Sequence, residues 1–454
     1  MERSALLARH DRRLPRYTSY PTAPHFGGDV GNGAVRRWLG AIAPGTRLSL
    51  YVHVPFCEQM CWFCGCNTSV VHSVGALERY AAAVQCEIER VADAIGQRLS
   101  VAHVHWGGGT PTSLPPALMR AIDRTMRRCF AFDGETEVAI EIDPRTLPET
   151  AVADFAALGI GRASLGVQDF APAVQDAIGR HQTLEQTRAA ADAARQAGAT
   201  SINLDLVYGL PHQTIASLEA TIAAVLTLDP DRIALFGYAH VPWMQKRQQV
   251  LAERALPDTA ERFAQQDRAA TLLVAAGYRR IGLDHFAKPR DRMAEAARTG
   301  RLARNFQGYT VDEGDVLLGF GASSIGALPQ GYVQNLTRTA DYLAAIEAGD
   351  LAVARGFALD AEDRLRRQII ERIMCDCTVD VAGLAAAAGL DVARFDAALP
   401  QLDRLAADGL LVREGWVITL PETARPFLRH AAACFDAYLD ASAAPGVARH
   451  AAAI

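Results

Sequence analysis

Six strand-like runs separated by helical stretches constrain this chain more than any other feature of it. The runs are residues 48–54, 101–106, 137–142, 162–167, 202–207 and 233–238. Between the first two, Leu77, Val84, Ile88, Val91 and Ile95 recur at helical spacing, with Tyr80 filling the gap; before the sixth, Ile215, Leu218, Ile222 and Val225 repeat the pattern. Strands alternating with such helices predict a parallel sheet packed on its outside by helices. Six repeats over residues 46–245 therefore predict an α/β fold, a partial (β/α)6 barrel. In such architectures chemistry gathers at the C-terminal strand ends. The unusual residues sit there: a cysteine-rich loop after the first run, residues 107–110 after the second, Asp143 after the third, Gln168 after the fourth and residues 209–211 after the fifth.

Around this barrel the chain divides into an N-terminal arm (1–45), a bridging region (246–355) and a C-terminal cover domain (356–454). In the last, Leu365, Ile369, Ile370 and Ile373 recur helically, residues 409–420 read as a hairpin, and a closing helix runs through Phe435 and Tyr438. That is a mainly helical, winged-helix-like arrangement. Arg394 is the only basic residue between 380 and 400, which favours a structural cover over DNA recognition. The balance of 46 basic and 51 acidic residues, a net charge of −5, also argues against a nucleic-acid partner. The longest wholly apolar or glycine stretch, residues 381–390, is far short of the roughly 20 needed to cross a bilayer. The first residues carry charge without an apolar core, unlike a secretory signal. A cytoplasmic protein without membrane insertion is expected.

Of nine cysteines, four fall within ten residues: Cys57, Cys61, Cys64 and Cys66. An odd, clustered set is a poor disulfide framework and points to metal or redox chemistry. A zinc knot could draw on Cys66, but no second CxxC or HxxxH lies downstream. Three thiolates at CxxxCxxC spacing suit an iron–sulfur cube with one iron open to a ligand.

CxxxCxxC with Phe63 before the third cysteine resembles the signature of the radical S-adenosylmethionine superfamily. The strings RYTSYPTA, YVHVPFC, CGCN, HWGGGTPT, EIDPRTL, SLGVQDF, NLDLVYGLPHQT, GLDHFAKP and NFQGYT resemble, more narrowly, the oxygen-independent coproporphyrinogen III oxidase family. The resemblance implies the same partial barrel and one 4Fe–4S cluster on Cys57, Cys61 and Cys64. It also implies a 5′-deoxyadenosyl radical made from S-adenosylmethionine. This would take a hydrogen atom from a propionate β-carbon of coproporphyrinogen III. Loss of carbon dioxide and one electron then leaves a vinyl group, and two such rounds give protoporphyrinogen IX. A separate reductant, a separate electron acceptor and a monomeric enzyme are implied as well.

By the same resemblance Tyr51, Gly108 and Glu141 contact the cluster-bound S-adenosylmethionine, and Ile325 packs near its adenine. A second S-adenosylmethionine would meet Phe63, Gly109, Thr110, Gln168, Arg180, Asp205 and Ala239. Arg180 suits a carboxylate by its fork, and Asp205 a ribose or ammonium group. Gly107, Gly108 and Gly109 read as a stretch that lets backbone approach a ligand, although superfamily members often have an acidic residue where Gly109 stands. Cys66 and His53 are candidate catalytic groups; a packing role for the thiol and a hydrogen bond within the barrel for the imidazole are the plain alternatives. Arg16, Tyr17 and Tyr20, or arginines at the barrel mouth, would recruit the anionic substrate. Cys66 and RYTSYPTA separate the chain from related haem chaperones, which usually carry an aromatic residue at the fourth cysteine. A porphyrinoid-modifying methyltransferase on the same scaffold stays open.

Overall fold

Alternation within β1 (Arg47–Val54) sets the architecture. Leu48, Leu50, Val52 and Val54 are buried against the outer helices, while Ser49, Tyr51 and His53 take the opposite face. The computed structural model describes residues 3–439. The end of the cover domain expected over 356–454, residues 440–454, lies outside the described residues.

The main sheet adds β2 (Ser100–Gly108), β3 (Glu137–Ile142), β4 (Ile160–Gln168), β5 (Ser201–Tyr208) and β6 (Arg232–Gly237), each parallel to the one before. These are the six predicted strands. Beyond β6 lie β7 (Arg279–Ile281) and β8 (His285–Ala287), with β8 pairing antiparallel to both β6 and β7. On the other edge β9 (Val316–Phe320) pairs parallel with β1 and so makes a seventh parallel strand, which the six-strand count did not include. β10 (Ile325–Leu328), β11 (Gly331–Asn335) and β12 (Val353–Ala358) then continue the sheet antiparallel, giving twelve strands.

Helix Val74–Ile95 covers β1 with the predicted face, burying Leu77, Tyr80, Val84, Ile88, Val91 and Ile95. Ser73 caps its start by accepting from the Ala76 amide, and Gly96 ends it in the left-handed conformation at φ 72°. In helix Ile215–Leu226 the predicted Leu218, Ile222 and Val225 are buried, but Ile215, in the first turn, is exposed. The inner face is polar: His103, His105, Glu137, Arg162, Ser164 and Asn203 bond across the lumen. The C-terminal region has its own apolar core around helix Ala361–Asp376, into which Leu14, Tyr17 and Tyr20 of the arm also pack. The predicted hairpin is present as Val412–Glu414 paired with Val417–Thr419. The closing helix stops at Ala433, short of Phe435 and Tyr438, which lie in turns. Among the described residues no helix is long and apolar enough to cross a membrane.

One buried acid ties these parts together. Glu87, on the helix covering β1, accepts from the Gly321 amide at 2.7 Å, Asn335 Nδ2 at 2.5 Å and Tyr342 Oη at 2.7 Å. Burial outweighs these donors and raises its carboxyl to about 7. The folded state therefore holds a proton that the unfolded chain has released, and this contribution to stability is lost as pH rises from 4.5 to about 7. Glu87→Gln should remove that slope. Wild type should lose about 3 kcal/mol relative to the variant across that window, read from urea midpoints.

Candidate active site

The loop following β1 carries the four clustered cysteines, and the glycine stretch 107–109 at the end of β2 meets it at Gly109. The Gly109 amide donates to the Val54 carbonyl and the Thr110 amide to the Phe56 carbonyl, each at 2.8 Å. A Cβ on Gly109 would sit 2.5 Å from both the Phe56 carbonyl oxygen and Thr68 Oγ1; one on Gly108 would sit 2.7 Å from the Val54 carbonyl oxygen. Gly109 thus admits the protein's own cysteine loop, while Gly107 and Gly108 admit Tyr51, Glu141 and the end of β1, and Gly108 and Gly109 also line the cavity that the cysteines share. The far side of the loop is held from residues 245–248. Gln245 Nε2 donates to the Gly65 carbonyl and Gln248 Nε2 to the Phe63 carbonyl, both at 2.9 Å, while Arg247 Nη2 donates to the Thr68 carbonyl at 3.3 Å.

Cys57, Cys61, Cys64 and Cys66 line one cavity of about 800 Å³, counting the space open to solvent at its mouth. Phe63, Gly108, Gly109, Thr110, Glu141, Gln168, Arg180 and Asp205 line it too, so the structure brings most of the predicted site residues together. Donors surround the sulfurs. Cys57 Sγ lies 3.2 Å from Thr68 Oγ1, and Cys64 Sγ accepts from the Cys66 amide at 3.4 Å. Cys61 Sγ accepts from Arg145 Nη2 at 3.3 Å and Arg180 Nη1 at 3.5 Å. The Cys66 thiol donates toward Cys64 and, with help from Arg247 and Arg180, brings the Cys64 thiol down to about 6. Burial pushes the Cys57 thiol up, partly offset by Thr68. Hydroxyls, an amide and two guanidiniums facing three thiols favour sulfur that carries negative charge. The donor set fits a thiolate-bound cluster.

Arg145 and Asp143 were not among the predicted site residues, although EIDPRTL contains both. Asp143 caps a short turn and takes Arg145 Nη2 at 2.6 Å and Arg180 Nη2 at 3.1 Å. Arg180 Nη2 also donates to the Gly166 carbonyl at 2.6 Å, which commits its fork to the protein and leaves Nε buried without a partner. Asp205 accepts from Ser164 Oγ at 3.0 Å and Asn203 Nδ2 at 2.8 Å; burial, then repulsion from Glu141, raises its carboxyl to about 6.

Glu141 accepts from His105 Nε2 at 3.0 Å and from the Gly108 amide at 3.1 Å. Burial opposes its ionisation, but His105 and Gly108 outweigh it and hold the carboxyl below the usual range. Tyr51 Oη donates to His53 Nδ1 at 2.9 Å, and His53 Nε2 donates to the Asn67 carbonyl at 3.1 Å. With both ring nitrogens engaged and burial lowering its pKa, His53 is a neutral bracket between β1 and the cysteine loop, not a relay with a free nitrogen. Cys66 is exposed at the cavity.

Four predicted residues stand apart from that lining: Tyr51 and His53 of β1, Ala239 and Ile325. Ala239 lines a neighbouring recess, and Ile325 opens β10 beside Gly319, the β9 partner of Tyr51. The arm is also divided in its roles. Tyr17 Oη donates to Asp436 and Tyr20 Oη accepts from the Ala437 amide, both at 3.0 Å, so these rings are buried in the C-terminal region; Arg16 alone faces the recess.

Residues 51–225 match the radical SAM superfamily model, and residues 359–427 match the HemN C-terminal domain. The oxygen-independent coproporphyrinogen III oxidase of Bradyrhizobium diazoefficiens is 47% identical over 98% of each chain. The chain belongs to the oxygen-independent coproporphyrinogen III oxidase family. Another family member, from Pseudomonas aeruginosa, is 39% identical over 96% of this chain and 95% of its own. The solved coproporphyrinogen III oxidase (HemN) of Escherichia coli, a radical SAM enzyme, superposes with a TM-score of 0.89 at 37% identity, covering 94% of this chain and all of that one. Membership of this oxidase family places the chain apart from the haem-chaperone and methyltransferase alternatives.

The glycine contacts predict the behaviour of Gly109→Ala. The new Cβ must displace loop backbone, at about 1–3 kcal/mol of stability. Its melting temperature should fall, and iron bound per chain after anaerobic reconstitution should drop well below wild type.

Proposed function

We propose that this chain converts coproporphyrinogen III to protoporphyrinogen IX without oxygen, decarboxylating two propionates to vinyl groups in haem biosynthesis. Three donor-flanked thiols at CxxxCxxC spacing around one cavity, in a chain of this family, carry the reading. Cys57, Cys61 and Cys64 hold a 4Fe–4S cluster. With S-adenosylmethionine bound, that cluster supplies a carbon-centred radical able to take a hydrogen atom from a propionate β-carbon.

The chain's own residues position and insulate. Arg145 and Arg180 place positive charge on Cys61 and are themselves fixed by Asp143. Glu141, kept ionised, offers a carboxylate to the ammonium of the cluster-bound S-adenosylmethionine, beside Tyr51, Gly108 and Ile325. Its side chain is still 37% exposed, so it can accept a further donor. Phe63, Gly109, Thr110, Gln168 and Asp205 contact a second S-adenosylmethionine in the same cavity, with Ala239 at its edge. There Asp205, near half-protonated close to pH 6, accepts from a ribose hydroxyl. Arg180 contributes to that site by its field and its remaining Nε–H. Cys66 steers Cys64 and guards the cavity mouth.

In this reading the arm (1–45), barrel (46–245), bridging region (246–355) and cover (356–454) act as one cytoplasmic monomer. An external reductant and an external electron acceptor serve it.

Anaerobic incubation with coproporphyrinogen III, S-adenosylmethionine and a strong reductant should yield mono- and divinyl products by liquid chromatography. Cys57→Ala, Cys61→Ala and Cys64→Ala should each lose cluster absorbance and all product. A full cluster in any one of them removes that residue from the ligand set.

A further inference from the structure

A second recess, of about 440 Å³ counting the space open to solvent, opens beside the cluster cavity and is lined by Arg16, Tyr208, Arg262, Asp284 and Arg429 among others. Its cations come from separate parts of the chain: Arg16 from the arm, Arg262 from helix Thr259–Ala275, and Arg429 from helix Leu428–Ala433. Arg304 adds a fourth guanidinium next to them; its Nη2 donates to the Arg16 carbonyl at 3.1 Å. Asp284 is the carboxylate that faces this group among the described residues, and it is already bonded to His285 Nδ1 at 2.8 Å. Glu371, which also approaches Arg304, accepts from its backbone amide.

Arg16 and Arg262 bond to backbone oxygens, so neither is paired to a carboxylate by these bonds. Arg16 Nη2 donates to the Gly237 carbonyl at 2.8 Å and Arg262 Nη2 to the Tyr238 carbonyl at 3.0 Å. Arg262 Nε and Arg304 Nε and Nη1 are buried without a partner. Their crowding has an electrostatic signature. Burial and then the Arg16 charge bring Arg429 down to about 10, whereas His285 and the guanidiniums overcome burial and hold Asp284 at about 2. Guanidiniums that outnumber the carboxylate facing them among the described residues repel one another, and an anion in the recess relieves that repulsion. The recess also adjoins the chemistry: Gln248 Nε2 donates both to Ala239, on its wall, and to Phe63, in the cysteine loop.

We propose that this recess binds propionate carboxylates of the macrocycle, anchoring those that are not reacting. The inference rests on the function proposed above and adds where that substrate's charge is held. A carboxylate here has two sources, since the methionyl end of S-adenosylmethionine carries one as well. That group brings an ammonium with it, which a surplus of guanidiniums repels. A substrate with four carboxylates and no cation matches the surplus.

The test is equilibrium binding of coproporphyrin III, the stable oxidised macrocycle, and of its tetramethyl ester to reconstituted holoenzyme, read by porphyrin fluorescence. Wild type should prefer the acid over the ester by about tenfold or more. Arg16→Gln and Arg262→Gln should each weaken the acid by about tenfold and leave the ester within about twofold. Arg16→Lys and Arg262→Lys, which keep the charge and secure the test if a glutamine variant does not fold, should bind the acid more tightly than the glutamine variants. Unchanged acid affinity in both folded glutamine variants overturns the proposal. So does loss of bound S-adenosylmethionine with acid affinity intact, which gives the recess to the methionyl carboxylate. A wild type that binds the acid and shows the arginine dependence, yet forms no vinyl product, sinks the reaction proposed above and leaves the recess standing.

Discussion

The close approach of β2's glycine end to the cysteine loop is the constraint on which this site depends. Two backbone hydrogen bonds, from Gly109 to Val54 and from Thr110 to Phe56, dock the loop where side chains would collide. Once docked, the loop is pinned on its other side by Gln245, Arg247 and Gln248. A thiol set on a free loop would pay conformational entropy each time it gathered around a metal group. Fixing the backbone beforehand moves that cost into folding, so the loop can present its sulfurs already oriented.

Charge within the barrel follows the same logic of prior placement. The lumen holds Glu141, Asp143 and Asp205 close to the thiols, and ionised groups in such a space repel one another unless paired. Asp143 is neutralised twice, by Arg145 and Arg180, and those guanidiniums then reach Cys61. Glu141 is bound by a histidine and an amide and stays ionised, whereas Asp205, bound by neutral donors and facing Glu141, is pushed toward protonation. Two carboxylates in one cavity therefore differ in state around pH 6 because of their partners. Such a divergence lets one accept a cation and the other a hydroxyl.

Much of this was legible in the chain. The alternation of Leu48, Leu50, Val52 and Val54 with Ser49, Tyr51 and His53 already separates an apolar outside from a polar lumen. The cysteine spacing marks the thiols that share the cavity. β9 escaped because its parallel partner β1 lies more than 250 residues earlier, and pairing at that distance leaves no local period. Gly107–Gly109 show a related limit: glycine announces a close approach but not all that approaches, and Gly109 also admits Phe56 and Thr68 of the cysteine loop. His53 illustrates the opposite limit. Its place before the cysteines suggested chemistry, and only Tyr51 and Asn67 reveal that both nitrogens are spent. Gln245 and Gln248 carry no signal at all, since a glutamine that caps another loop's carbonyl looks like any surface glutamine.

The arm and the C-terminal region acquire a role from what they share with the barrel. Tyr17 and Tyr20 bind the arm to Asp436 and Ala437, and Arg429 Nη1 returns a bond from the C-terminal helix to the Leu14 carbonyl at 3.3 Å. These contacts set Arg16 and Arg429 on one wall of the recess whose other wall is the end of β5 and β6. A cation cluster assembled from four distant segments resists its own formation, because each added guanidinium raises the energy of the rest. Burial of Leu14, Tyr17 and Tyr20 in the C-terminal core supplies the opposing free energy. The C-terminal region therefore acts here as the clamp that keeps repelling charges together at the barrel mouth.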